Sequence, residues 1–270
     1  IFRPRRLSLA ARAAALLATP DWLRAIEHWN PERVCLSQGS AYECVGRRST
    51  RPFSDWLLAR RQPFVNVVQF NEPRDDLRPA TLARSRRLYD AASCNAFVAA
   101  RNITEASATL GREVPRARVV RNPVNLDAPF ALPWPAETTP HFACVARLHV
   151  DAKGQDLLLD ALAGRPWRNE PWTLSLFGAG QDEAALRDRA ARLGLAERVQ
   201  FKGQTSDLRA VWLGHHMLVL PSRAEGTPLA MVEAMILARP CLVTDVGGCA
   251  DWVQDGVNGF LAPPSGVGIA

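Results

Sequence analysis

HMLVLPSRAEGTPLAMVEAMILA, residues 216–238, joins an apolar run, a short polar loop and a second apolar run. The first run, HMLVLP (216–221), is too short for a helix and predicts a buried strand. Thr227 is a good N-cap and Pro228 a good first helical residue, so the spacing predicts a helix over 228–238, ending before Pro240. Leu229, Val232 and Ile236 mark its buried stripe. Two carboxylates stand eight residues apart: Glu225 in the loop beside Gly226, and Glu233 one turn after Leu229. A continuous apolar strand that feeds a helix in this way belongs to a parallel sheet covered on both faces.

The same alternation runs outward from this stretch. Strands are expected at 33–37, 64–70, 94–100 and 117–122 in the first half, and at 141–147, 173–178, 199–203, 216–221 and 240–245 in the second. Helical patterns lie near 8–18, 54–61, 79–91 and 102–110, then at 154–163, 181–193, 206–213 and 228–238. Between the halves, NPVNLDAPFALPWPAETTP (122–140) contains five prolines and suits an extended connection. We therefore expect two doubly wound parallel-sheet (Rossmann-like) α/β domains facing a cleft: 1–126, a linker at 127–138, and 139–270. In such sheets ligands sit beyond the carboxyl ends of the strands, so motifs there matter most.

With 270 residues, 47% of them hydrophobic, the chain can bury a sizeable core. No apolar run approaches a bilayer span. The opening RPRRLSLAARAAALLATP is interrupted by Arg12 and reads as an amphipathic helix rather than a signal peptide. The chain opens on Ile and closes on SGVGIA, which reads as a piece of a longer protein, incomplete in both domains. Six cysteines show no CxxC and no metal-ligand spacing, so reduced, buried thiols in the cytoplasm are expected. Residues 1–130 hold 21 arginines and no lysine against 12 acids; residues 131–270 hold 10 arginines and 2 lysines against 15. The basic half suits an anionic partner such as the inner face of a membrane, or simply solvated helix faces. No aromatic–basic interleaving or nucleic-acid module is present, which argues against nucleic acid. Asn102-Ile103-Thr104 forms a sequon without a secretory context.

Several strand ends carry groups suited to anions. In ARLHVDAKGQDLLLDAL, Arg147 ends a strand, and Lys153 with Gly154 precedes a helix whose amino end favours anions. Lys153 and Lys202 are the only lysines in an arginine-rich chain. LFGAGQDEAAL (176–186) places Gly178 and Gly180 at a strand–helix turn, where a ligand or a neighbouring loop can approach. The amides of Gly226, Thr227, Pro228 and Leu229 open the next helix, although proline contributes no N–H. Glu233 borders an apolar stripe and needs a partner, for which hydroxyl donors are suited. Cations and amides for a diphosphate, with carboxylates for sugar hydroxyls, describe a nucleotide-sugar pocket; a plain capped helix with one snorkelling glutamate is the alternative.

These residues resemble the retaining glycosyltransferases of family 4, which have the GT-B architecture. The resemblance rests on ARLHVDAKGQDLLLDAL, LFGAGQDEAAL, LVLPSRAEGTPLAMVEAM and VTDVGGCADWVQDGVNGFLA, with Glu225 and Glu233 as the E-x7-E signature and Arg147 with Lys153 as the R-x5-K pair. It covers 140–263 well and 30–125 loosely. It implies that Arg147 and Lys153 bind the diphosphate, that Glu225 and residues 226–229 hold the donor sugar, and that Glu233 grips the ribose. The base would pack near Gly178, Gly180 and Lys202. The acceptor would enter past Gly39, Ser40, Gln69 and Asn71. Cys249 and Asp251 depart from the commoner Asn and Glu, and Gln69 stands where an acceptor-side His is usual.

The resemblance implies transfer of a sugar from a UDP- or GDP-linked donor to a glycan, lipid-linked or small-molecule hydroxyl with retention, with no cofactor. No D-x-D motif exists, so no metal is expected and the cations serve instead. A non-catalytic nucleotide-sugar-binding module, or an epimerase or hydrolase on the same fold, remain alternatives. A dinucleotide-dependent oxidoreductase is disfavoured by the lack of G-x-G-x-x-G.

Overall fold

The computed structural model describes residues 20–269 apart from 72–73, 125 and 127–129. The helix expected over 8–18 lies outside the described residues, as does part of the expected linker. Strands β1 (Val34–Ser40), β2 (Phe64–Phe70), β3 (Cys94–Phe97) and β4 (Ala117–Val119) form one parallel sheet in that order. Helices α1 (Asp21–Trp29), α2 (Glu43–Gly46), α3 (Arg51–Arg60), α4 (Pro79–Ala91) and α5 (Ala100–Leu110) alternate with them. One face of β2 carries Phe64, Asn66 and Val68, all buried. An amide rung crosses the sheet there: the Gln38 side chain donates to Asn66 at 2.7 Å, Asn66 donates to Asn95 at 3.1 Å, and Asn95 donates to the Tyr89 and Pro115 carbonyls. Because each buried amide has a partner, the rung adds little cost and separates two apolar clusters, one around Leu36, Leu57 and Phe64 and one around Val68, Phe97 and Leu110.

The second sheet is formed by β5 (His141–Val145), β6 (Thr173–Phe177), β7 (Val199–Gly203), β8 (Met217–Leu220), β9 (Cys241–Thr244) and β10 (Gly259–Ala262). Its order is β10-β9-β8-β5-β6-β7, all parallel. Helices α6 (Val150–Lys153), α7 (Gln155–Ala163), α8 (Glu183–Arg192), α9 (Leu208–Leu213), α10 (Leu229–Ile236) and α11 (Gly266–Ile269) join these strands. Leu159, Leu174 and Trp212 are fully buried in one core, each leucine contributing about 1.5–3 kcal/mol by leaving water. The chain starts this sheet at β5, runs outward to β7, then returns to β8 on the other side of β5. The order therefore reverses between β5 and β8, and a crevice opens where the loops after those two strands diverge.

Some details differ from the expectations. The helix expected over 154–163 is α7; the one-turn helix α6 before it was not expected, and it ends at Gly154 in the left-handed conformation (φ 63°). A Cβ at Gly154 would lie 2.0 Å from the Pro221 carbonyl oxygen, so only glycine lets the two loops meet here. Helix α1 and strand β10 were not expected; DWLRAIEHW runs from Pro20 to a left-handed Asn30, and the four residues of β10 are too few for a period to show. All six cysteines are free, and burial pushes Cys144, Cys241 and Cys249 up to about 12, so they pack as small apolar groups. Asn102 is fully buried, which removes it as a glycan acceptor in the folded chain. Residues 130–138 form no helix or strand. They are tied to the second lobe by buried Arg239, whose guanidinium donates to the Leu132, Pro133, Trp212 and His215 carbonyls. No helix among the described residues is long and apolar enough to cross a membrane.

Candidate functional site

The crevice between β5 and β8 brings the two loops singled out in the sequence into contact. Lys153, at the end of α6, points its ammonium at Glu225 in the loop after β8, with Nζ and Oε1 2.6 Å apart. The Glu225 side chain is only 8% exposed, and the Ser222 hydroxyl donates to the same oxygen at 2.7 Å. The cation and the hydroxyl together offset the desolvation of this buried carboxylate. The second carboxylate oxygen has no partner among the described residues.

A clamp that no local pattern announces holds these loops together. The Arg223 guanidinium donates to both oxygens of Asp156 at 2.8 Å and to the Val150 carbonyl at 2.6 Å. The amides of Arg223 and Ala224 both donate to the Ala152 carbonyl. Arg223 thereby fixes α6 to the start of the Glu225 loop, with Lys153 between. Burial pushes the Asp156 carboxyl up, but the paired bonds from Arg223 outweigh it and hold it below its ordinary value. Asp156 and Arg223 are 67 positions apart, so only the fold reveals the pair. Asp182 performs a related task after β6: its carboxylate accepts from the Val150 amide at 2.8 Å.

Arg147 is exposed, its carbonyl accepts from the Gln155 side chain, and its guanidinium has no ion-pair partner among the described residues. Gly178 and Gly180 lie against a neighbouring loop: the Leu148 amide donates to the Ala179 carbonyl, and the Asp182 amide to the Leu148 carbonyl. Lys202 is exposed on β7. Glu233 is 9% exposed in α10, and no group among the described residues bonds its carboxylate; burial raises its pKa. The hydroxyl partner expected for it is therefore not found among the described residues. Pro228, not Thr227, is the residue before α10, and it makes no side-chain cap. The Thr227 hydroxyl donates to the Val98 carbonyl at 2.8 Å, across to the first lobe. Leu229 opens α10 and is partly exposed.

The first lobe meets the second at the same place. Gly226 lies so close to the Gln69 carbonyl that a Cβ would stand 1.9 Å from that oxygen. The Gln69 side chain bonds Ser37 and Asn122. The Gly39 amide donates to Glu43. Arg101 pairs with Asp245 at 2.6 Å, and Arg121 with Asp251 at 2.9 Å. A cavity of ≈ 550 Å³ opens between the lobes, bordered by Asn71, Arg101 and Glu105 on one side and by Glu225, Asp245 and Pro263 on the other. Asn71 is buried, and its side-chain oxygen has no hydrogen-bond partner among the described residues.

Residues 139–268 match the family model described as glycosyl transferases group 1. Among curated proteins, the glycogen synthase of Pseudomonas syringae pv. syringae is 34% identical over 128 residues, which cover 47% of this chain and 26% of that one. The lipopolysaccharide outer core galactosyltransferase WaaB, solved in its apo form, superimposes with a TM-score of 0.65 at 23% identity, over 96% of this chain and 68% of that one. Anabaena Alr3699/HepE, solved with UDP and glucose, gives 0.69 at 19% identity, over 92% and 69%. The chain spans only about a sixth to two fifths of the curated relatives it matches. The two parallel sheets face a cleft in the GT-B manner, and the whole Lys153–Glu225 crevice lies within the segment 139–268 that matches the group 1 glycosyl transferases.

Proposed function

We propose that the chain carries the donor site and part of the acceptor site of a retaining glycosyltransferase, which moves a sugar from a nucleoside-diphosphate sugar to an acceptor hydroxyl. The observation that carries this is the Lys153–Glu225 pair at the point where the strand order reverses, 2.6 Å apart and largely shielded from water. Lys153 and Arg147 meet the diphosphate and offset the charge that grows on the departing nucleotide. Glu225 and the amides of Gly226 and Thr227 take the sugar hydroxyls, and Glu233 takes those of the ribose. The Glu233 carboxylate, unbonded among the described residues, supports that role, because ribose hydroxyls would supply donors. Gly178, Gly180 and Lys202 border the base. UDP is the favoured nucleotide, since the structural neighbour Alr3699/HepE was solved with UDP and glucose. The cations serve where a metal ion otherwise would. In this scheme the acceptor oxygen attacks from the face the nucleotide leaves, through an oxocarbenium-like state, and its proton passes to the departing phosphate. The protein's contribution is positioning and charge stabilisation.

Lys153→Ala tests the proposal in a full-length version supplied with donor and acceptor. Turnover is expected to fall about 100-fold or more, in line with loss of one preorganised charge at the leaving group. Near-normal kcat would remove Lys153 from that role. Donor consumption without transfer, in the parent protein and with acceptor present, would instead identify a hydrolase.

A further inference from the structure

The scheme above draws on the strand ends of the second sheet. The first lobe has a separate cavity at the carboxyl end of β1, of ≈ 690 Å³, within the range of about 300–1,000 Å³ typical of small-molecule sites. Five arginines line it (Arg47, Arg51, Arg74, Arg78 and Arg84) against two acids, Glu43 and Asp76. Glu43 engages Arg47 at 2.5 Å, and Asp76 engages Arg74 through two bonds of 2.7 Å. No described carboxylate pairs with Arg51, Arg78 or Arg84, and the Arg51 Nε is buried without a hydrogen-bond partner. The wall thus keeps three positive charges uncompensated among the described residues. Helices α3 and α4 begin at this cavity, with Arg51 and Pro79, and their amino ends add to the same potential. Like charges gathered in a concavity repel one another, and an anion relieves that repulsion. Guanidinium forks suit oxygen anions that accept two bonds at once, such as carboxylate and phosphate. The Ser40 and Thr81 side chains at the wall offer hydroxyls for a sugar ring.

The cavity is also in the right place for an acceptor. Ser40 pairs with Phe70 in the sheet, so the end of β1 lies about 5 Å from the end of β2, where the Gln69 carbonyl meets Gly226. We propose that this cavity holds a phosphate or carboxylate of the acceptor, which is therefore an anionic sugar and not a neutral one. The proposal rests on the glycosyltransferase reading for the word acceptor, but the anion site can be tested without it.

The experiment titrates inorganic phosphate into this chain, by calorimetry and thermal shift, with UDP present at saturation to occupy the donor crevice. Saturable binding is expected, at least tenfold weaker in Arg78→Ala/Arg84→Ala. Arg78→Lys/Arg84→Lys, which keeps the charge but not the fork and leaves the fold least disturbed, should fall between the two. Protection by UDP should be the same in all three proteins. Phosphate binding that is unsaturable, or equal in parent and both variants, overturns the anion site while leaving the donor reading intact. If UDP fails to bind, the donor reading fails alone, and the same titration on a Lys153→Ala background still decides the cavity. Vesicles of phosphatidylglycerol and of phosphatidylcholine form the last arm. Arginine-dependent binding to the former, without any response to soluble phosphate, would replace the sugar acceptor by a membrane surface and overturn the proposal.

Discussion

Glu233 sits in α10 with 9% of its surface exposed and no bond to its carboxylate from any described residue. Burial disfavours the charged form and raises its pKa above the ordinary 4.5. The folded chain then holds this proton more tightly than the unfolded chain does. The penalty is absent below the ordinary value and grows as pH rises through the raised one. Glutamine cannot ionise, so Glu233→Gln should melt higher than the parent near pH 8, and the gap should narrow toward pH 4. Melting curves across that range check it, and a gap that is flat or widens in acid contradicts it. The same substitution should weaken nucleotide protection, because an amide accepts fewer hydroxyl protons than a carboxylate. A residue that costs stability and serves a ligand is expected at a binding site.

At the scale of elements, the loops after β5 and β8 are fastened by Arg223 as much as by the Lys153–Glu225 contact. Arg223→Ala removes charge-assisted bonds to Asp156 and one of the two donors to the Val150 carbonyl, the Gly154 amide being the other. A loss of about 1–3 kcal/mol is expected from denaturant unfolding. Arg223→Lys should recover less than half of it, since an ammonium cannot grip both oxygens in the plane. Equal stability of the lysine variant and the parent would show that charge alone matters. Because α6 is only four residues long, its placement depends on such ties, and nucleotide affinity should fall along with stability. This element-level design was hidden in the sequence. Lys153 and Glu225 were legible because each lies beside a glycine at a strand–helix turn. Arg223 and Asp156 lie in the same two motifs, yet nothing local says that they meet. Thr227 was misread as a cap because its use is set by Val98, which lies 129 positions away.

Over the whole molecule, the two-sheet layout was readable from alternating apolar runs and the proline-rich join, since continuous strands separated by helices allow few other arrangements. How the lobes meet was not, because it depends on single contacts between distant residues. The lobes touch through the Thr227–Val98 bond, the Gly226–Gln69 approach and two exposed ion pairs, Arg101–Asp245 and Arg121–Asp251. Exposed pairs of this kind are each worth about 1 kcal/mol or less and weaken with salt. Thr227→Val combined with Asp245→Asn and Asp251→Asn should therefore loosen the closed arrangement without unfolding either lobe. Limited proteolysis should then cut within 130–138 about tenfold faster than in the parent, with both lobes surviving as fragments. Equal cleavage rates would mean that other contacts hold the lobes together.

The ammonium of Lys153 is bonded to one oxygen of Glu225. On the proposed reading, a diphosphate competes with Glu225 for that lysine, and drawing the ammonium away opens this oxygen to a sugar. The nucleotide half of a donor would then complete the seat for the hexose half. A free monosaccharide would meet a carboxylate with one oxygen held and one open, whereas the same sugar attached to its nucleotide would meet both. The proposed reading therefore expects tighter binding of activated than of free sugar, before any difference in hydroxyl stereochemistry comes into play.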